Sequence, residues 1–211
     1  MKAFIFDLDG TILDSTGIWL QIDVDFLKRR KIKMPDDYPL AVSIMPPREA
    51  ALYTIKRFSL DESVESLCGE WLNMASDAYR NIKAKPFAVD YLKRVKTLKI
   101  PVVIASASSV SLINTALSNL GIQDLFDVIV TSDDVKSNKN SPDIFLLAAQ
   151  KLKTDPKDCV VFEDSLQAIM SAKSTGMKVY AILDDRAVSD WEEIKTVSDG
   201  YFIDFEQVPF P

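Results

Sequence analysis

Asp7-Leu8-Asp9-Gly10-Thr11 follows directly on a short apolar run, Ala3–Phe6. In an extended strand residues i and i+2 share a face, so Asp7 and Asp9 stand about 6–7 Å apart on one side if the strand runs through them. Two carboxylates so close repel unless a cation or a proton intervenes. Gly10 permits a sharp turn and a close backbone approach. A plain strand-end turn reads the same Asp-Gly pair without any chemistry.

Three further segments carry candidate chemistry. Ile104-Ala105-Ser106-Ala107-Ser108-Ser109 closes a second apolar run. A hydroxyl at Ser106, with backbone N–H groups at a helix start, suits a phosphate oxygen; Ser108 or Ser109 also suits a helix N-cap. In Lys136-Ser-Asn-Lys139-Asn-Ser141-Pro142-Asp143, Pro142 fits a first helical turn with Ser141 as its cap. Lys139 is placed to reach a phosphate as a point charge, or to stand as a solvated loop lysine. Last comes Val160-Val161-Phe162-Glu163-Asp164-Ser165, an apolar run ending in two acids. Charge at such a place needs a partner, and a hard cation held by carboxylate oxygens supplies one. Asp164 is the expected direct ligand, with Glu163 beside it; N-capping by Asp164 or Ser165 is the alternative.

What positions these groups is an alternation of strands and helices. Ala3–Phe6, Pro101–Ala105, Val128–Val130, Cys159–Phe162 and Val179–Ile182 are short and mostly rich in Val and Ile, as strands buried on both faces are. Helical patterns fall near 86–98, 109–120, 142–152 and 165–175, and a last short strand at Gly200–Ile203. The alternation predicts an α/β fold, a doubly wound parallel sheet of the Rossmann-like kind. Each candidate group then sits at the carboxyl end of a successive strand, where open α/β sheets bind ligands. The stretch 15–85 is different: it reads as wholly helical, over 15–31, 47–58 and 61–84, with breaks at Met34–Pro39 and Pro46–Pro47. The expected organisation is therefore a core of 1–14 with 86–211 and a small helical domain of 15–85 inserted after the first strand.

Composition narrows the function. The chain has 211 residues and no histidine. That removes Ser-His-Asp and Cys-His hydrolysis, histidine-ligated zinc and phosphohistidine chemistry, and leaves acid–base work to carboxylates, lysines, tyrosines or water. Its net charge of −6 argues against nucleic acid as a partner. No apolar run approaches the roughly 20 residues of a membrane span. The two cysteines, Cys68 and Cys159, form no CxxC pair, and the N-terminal stretch meets charge at Asp7 without a signal-peptide apolar region. A cytoplasmic protein is expected, monomeric or weakly self-associating.

The ordered set resembles the haloacid dehalogenase-like hydrolase superfamily over essentially the whole chain, in the branch containing phosphoglycolate phosphatase and β-phosphoglucomutase. Asp7–Thr11 matches its Asp-x-Asp-Gly-Thr motif, Ser106 its Ser/Thr motif, Lys139 with Pro142 and Asp143 its Lys-x-x-Pro-Asp motif, and Glu163–Ser165 its acidic motif. The resemblance implies a Mg²⁺-dependent phosphatase acting on a small phosphorylated metabolite. Asp7 would be the nucleophile that becomes an aspartyl-phosphate, and Asp9 the general acid and base. The metal would be held by Asp7, the Asp9 backbone carbonyl, Asp164 and Glu163. Ser106 and Lys139 would hold the phosphoryl oxygens, with Thr11, Ala107 and Ser108 on the substrate side and the 15–85 insert as a cap. Two departures stand out: Asn138 and Asn140 flank the lysine where the family often has Gly and Pro, and Ala168 replaces a glycine after the acidic motif.

Asp9 separates this chain from true dehalogenases and phosphonoacetaldehyde hydrolases, which lack the second aspartate. Ala105–Ser108 and Pro47-Arg48-Glu49 resemble segments of β-phosphoglucomutase, with Arg48 as a binder of a distal phosphate or carboxylate or as a solvated helix-start residue. That mutase also uses a histidine, which this chain lacks, so phosphatase ranks above mutase. A silent phosphometabolite-binding regulator ranks last, because Asp7, Asp9 and Asp164 are all present.

Overall fold

The computed structural model describes residues 2–43, 45–135 and 141–210, without the side chains of Ser43 and Arg186. Lys139 and its immediate neighbours 136–140 lie outside the described residues.

Six strands form one parallel sheet: β1 (Ala3–Phe6), β2 (Val102–Ser106), β3 (Val128–Thr131), β4 (Cys159–Glu163), β5 (Lys178–Ile182) and β6 (Gly200–Phe202). Their order is β3-β2-β1-β4-β5-β6. The chain winds outward from β1 to β2 and β3, then returns to the other side of β1 for β4, β5 and β6. β1 therefore pairs with both β2 and β4, with Phe6 opposite Ile104 and Phe162. The carboxyl end of β1 is the point where the winding reverses, and ligand crevices in such sheets open there.

Period-2 alternation sorts the residues of β1 onto two faces. Ala3 and Ile5 join a buried aliphatic cluster with Val103, Ala105, Val161 and Val179, covered by Ile144, Phe145 and Ile169 from helices Asp143–Lys151 and Leu166–Ser174. Phe4 and Phe6 point the other way into an aromatic cluster. Phe6 stacks on Phe162 with ring centroids 4.3 Å apart, and Tyr91 of helix Ala88–Thr97 and Phe205 pack against both. Offset-stacked and edge-on rings add about 0.5–1.5 kcal/mol per pair beyond area burial. Both faces of β1 are thus sealed, so its polar continuation has only the carboxyl-terminal edge of the sheet to emerge on.

The chain divides into two compact units, 1–16 with 82–211, and 17–81. The second unit is helical, with Ile18–Arg29, Tyr38–Ser43, Pro47–Phe58 and Val64–Tyr79. Arg30 ties its helices together. The guanidinium lies 3.8 Å over the Phe26 ring and donates to Glu62 (2.7 and 2.8 Å) and Glu70 (2.5 and 3.2 Å). Pro46 and Pro47 form the N-cap and first position of Pro47–Phe58, where a missing N–H does no harm. Among the described residues no helix is long and apolar enough to cross a membrane.

Several local expectations need correction. The break expected over Met34–Pro39 is shorter, because helix Tyr38–Ser43 begins inside it with Pro39 in its first turn. A short helix, Ser132–Val135, and a seven-residue one, Trp191–Val197, were not expected; neither is long enough to show a full amphipathic repeat. The N-cap position of Asp143–Lys151 is held by Pro142, and Ser141 acts one residue earlier, its hydroxyl accepting the Asp143 N–H at 3.3 Å.

Candidate active site

The site is built at the carboxyl ends of β1, β2 and β4. β1 stops at Phe6, but the Asp7 N–H still donates to the Phe162 carbonyl at 2.9 Å, holding the aspartate against β4. The chain then turns. Gly10 sits at φ 92°, a left-handed conformation that suits glycine, and Gly10 N–H donates to the Leu13 carbonyl at 3.0 Å. Leu8 accepts from the N–H groups of Ile12 and Leu13. Asp7 and Asp9 therefore lie in the segment that leads from β1 into this turn rather than on one continuous strand. Asp7 is 3% exposed and Asp9 is partly buried.

Asp7, Glu163 and Asp164 converge. Each offers a carboxylate oxygen, and these oxygens lie within 4.8 Å of one another, with all three residues buried. Neighbouring strand residues point opposite ways, so two successive acids can share a target only if the backbone bends. Here β4 ends at Glu163, and Glu163 Oε1 folds back to accept the N–H groups of Asp164 and Ser165, both at 3.1 Å. Thr11, fully buried, donates from Oγ1 to Asp164 Oδ1 at 3.0 Å. The turn after β1 thus orients a carboxylate after β4, across a sequence separation of 153 residues. Three hard oxygen donors in a buried cluster fit a divalent cation of the Mg²⁺ kind.

Beside this cluster lies the loop after β2. Ser106 is buried, and its Oγ accepts the Ser108 N–H at 3.1 Å. Ser108 Oγ donates to Asp9 Oδ2 at 2.6 Å. Ala107, between them, is exposed. The capping expectations fail in an informative way. Ser109 and Ser165 occupy the N-cap positions of helices Val110–Leu120 and Leu166–Ser174, but neither side chain caps its helix. Asp164 accepts the Thr11 hydroxyl at its Oδ1.

The structure therefore brings Asp7, Thr11, Glu163 and Asp164 together, and joins Asp9 to Ser108 and Ser106. The Asp9 carboxylate is not part of the three-carboxylate cluster. Arg48 lies in the helical unit, in the first turn of Pro47–Phe58, exposed and donating to Glu65 at 2.6 Å.

A fourth polar group at this edge was not anticipated. Asp184, two residues beyond β5, is buried and pairs with Lys85 Nζ at 2.9 Å. Lys85 Nζ also donates to the Leu183 carbonyl at 2.7 Å, and the Thr16 hydroxyl donates to Asp184 Oδ2. Thr16 and Lys85 flank the two chain crossings into the helical unit, which are paired through Leu13 and Ala84 and through Asp14 N–H to the Lys83 carbonyl at 2.9 Å. The signal was present as an Asp-Asp pair after an apolar run, the same kind that singled out Glu163 and Asp164.

Known proteins resemble this chain in sequence and in fold. A family model described as haloacid dehalogenase-like hydrolase matches residues 4–182. The bifunctional riboflavin kinase/FMN phosphatase of Arabidopsis thaliana is 35% identical over 182 residues, 86% of this chain; that match spans 48% of the relative, so this chain corresponds to about half of its length. The fructose-1-phosphate phosphatase of Escherichia coli (strain K12) is 30% identical over 180 residues, covering 83% of this chain and 93% of the relative. Among solved structures, the β-phosphoglucomutase of Clostridium difficile superposes with a TM-score of 0.78 at 26% identity, covering 100% of this chain and 94% of that one.

Proposed function

We propose that this chain, which belongs to the haloacid dehalogenase-like hydrolase family, is a Mg²⁺-dependent phosphatase of small phosphate monoesters that works through a phosphorylated Asp7. The observation that carries this reading is the convergence of Asp7, Glu163 and Asp164 beside Asp9 at the edge where the sheet's winding reverses. Asp7, Glu163 and Asp164, with the Asp9 backbone carbonyl, are the groups that would hold the ion. When bound there it supplies positive charge that offsets repulsion between Asp7 and an anionic phosphoryl group.

The chain's own residues account for the rest. An Asp7 carboxylate oxygen attacks phosphorus as the ester P–O bond breaks, forming an acyl phosphate. Asp9 gives a proton to the departing oxygen. Water then attacks phosphorus, Asp9 takes its proton, and inorganic phosphate leaves with the Asp7 carboxylate restored. Ser106 and Lys139 orient the phosphoryl oxygens, with Thr11, Ala107 and Ser108 nearby. The helical unit acts as a cap that selects the leaving group, with Arg48 as a candidate contact for a second anionic group. Sugar phosphates are the first substrates to try, because a relative at 30% identity is named for one. The two free cysteines and the net charge of −6 suit a reducing cytoplasm without nucleic-acid partners, and we expect a monomer or weak oligomer.

The likeness to a β-phosphoglucomutase structure favours a mutase instead, together with the resemblance of Ala105–Ser108 and Pro47-Arg48-Glu49. Against it stands the absence of histidine. A panel of sugar phosphates incubated with purified protein and Mg²⁺ separates the two. Release of inorganic phosphate that stops on chelation supports the phosphatase. Interconversion of glucose 1- and 6-phosphates with an activating bisphosphate, without net release, overturns it.

A further inference from the structure

Ser108 stands in the loop that would meet the phosphoryl group, yet its hydroxyl is engaged elsewhere. Ser108 Oγ lies 2.6 Å from Asp9 Oδ2, and because a carboxylate oxygen only accepts, the Ser108 proton is the one shared. A hydroxyl carries a single proton. While that proton is given to Asp9, it is not available to a phosphoryl oxygen. The backbone of the same residue is also engaged, its N–H donating to Ser106 Oγ at 3.1 Å. This second bond holds the Ser106-Ala107-Ser108 turn, and with it the backbone that carries the Ser108 side chain. Asp9 itself sits in the turn after β1, with Gly10 at φ 92° immediately following. The aspartate and its serine partner thus come from two different strand ends, 99 residues apart in sequence.

We propose that Ser108 is a positioning residue for Asp9: its hydroxyl, donated to Oδ2 at 2.6 Å, holds the carboxylate in one orientation against the leaving group's side of the site. This rests on the phosphatase reading and deepens it, moving Ser108 from phosphate contact to control of proton delivery. The physical basis is that proton transfer requires donor and acceptor within hydrogen-bond reach in the right orientation, and a loosely held acid loses that geometry. The consequence depends on the leaving group. An alkoxide needs its proton as the P–O bond breaks, whereas p-nitrophenolate leaves readily without one.

The test is steady-state turnover of p-nitrophenyl phosphate, phenyl phosphate and an alkyl phosphate by wild type, Ser108→Ala and Ser108→Thr. The proposal expects Ser108→Ala to lose about 10–100-fold more kcat on the alkyl ester than on the p-nitrophenyl ester, with KM shifting little. Ser108→Thr, which keeps the hydroxyl, restores most of the alkyl-ester rate and guards against a folding artefact. Equal losses across the series with a raised KM would show Ser108 to be a phosphate contact and overturn the proposal. So would an Ala variant indistinguishable from wild type. If wild type releases phosphate from none of the esters, the phosphatase reading itself fails, a result distinct from an even loss in an active enzyme.

Discussion

Replacing Lys85 with Met should destabilise the α/β unit severely, although Lys85 is remote in sequence from every motif residue. Its ammonium is 2.9 Å from Asp184 Oδ2 and 2.7 Å from the Leu183 carbonyl, with the lysine side chain 11% exposed and that of Asp184 fully buried. Met keeps much of the aliphatic stem and removes the charge together with the hydrogen bond to the Leu183 carbonyl. Asp184 then loses the Lys85 charge while held in a desolvated place, and breaking a buried pair from one side costs about 3–5 kcal/mol. With a urea slope of about 2–3 kcal/mol/M, the midpoint should fall by about 1–2.5 M. Urea unfolding followed by far-UV circular dichroism reads this directly. The double variant Lys85→Met with Asp184→Asn should recover part of the loss, because the buried carboxylate charge is gone as well. A single-variant shift below about 0.3 M, against the slope above, would refute the idea that this pair secures the segments bordering the helical unit.

Further expectations concern the helical unit and the three-carboxylate cluster. Burial pushes Asp23 up to about 6. A carboxyl raised in the folded state binds protons more readily there than when unfolded, so its contribution falls as pH rises from about 4 to 6. Asp23→Asn should therefore stabilise the protein by about 1–2 kcal/mol at pH 7 and by little below pH 4, as thermal unfolding across that range would show. Thr11→Val removes the hydroxyl that orients Asp164 at 3.0 Å while keeping its volume. Partners one step removed from a metal typically govern affinity by about 10–100-fold, so calorimetric titration should show Mg²⁺ binding weakened by at least about tenfold, and an unchanged affinity would remove Thr11 from that role.

The parallel sheet was legible in the sequence because its central strands are short runs buried on both faces, such as Phe4 and Phe6 on one side of β1 and Ala3 and Ile5 on the other. The carboxyl ends of those runs located Asp7, Ser106 and the Glu163–Asp164 pair, since polar groups abutting a sealed sheet have only its edge to occupy. How the two adjacent acids share a face was not legible. It depends on Glu163 accepting two successive N–H groups, a local geometry that alternation along a strand does not encode. The link from Ser108 to Asp9 was invisible for a different reason, being a contact between two strand ends brought together only by the order of the sheet. The Lys85–Asp184 pair escaped notice in the same way, and the Arg30 anchor did because an arginine on a polar helix end reads as solvated until Glu62 and Glu70 are folded against it.

The central claim is that Asp7 carries the phosphoryl group in the course of turnover. Rapid acid quench of the enzyme with substrate and Mg²⁺, followed by mass spectrometry of the peptide containing Asp7, tests it most directly. A phosphoryl adduct on Asp7 that requires the metal, and its loss together with phosphate release in Asp7→Asn, is the predicted result. Undiminished phosphate release by Asp7→Asn, or an adduct on a different residue, would contradict it.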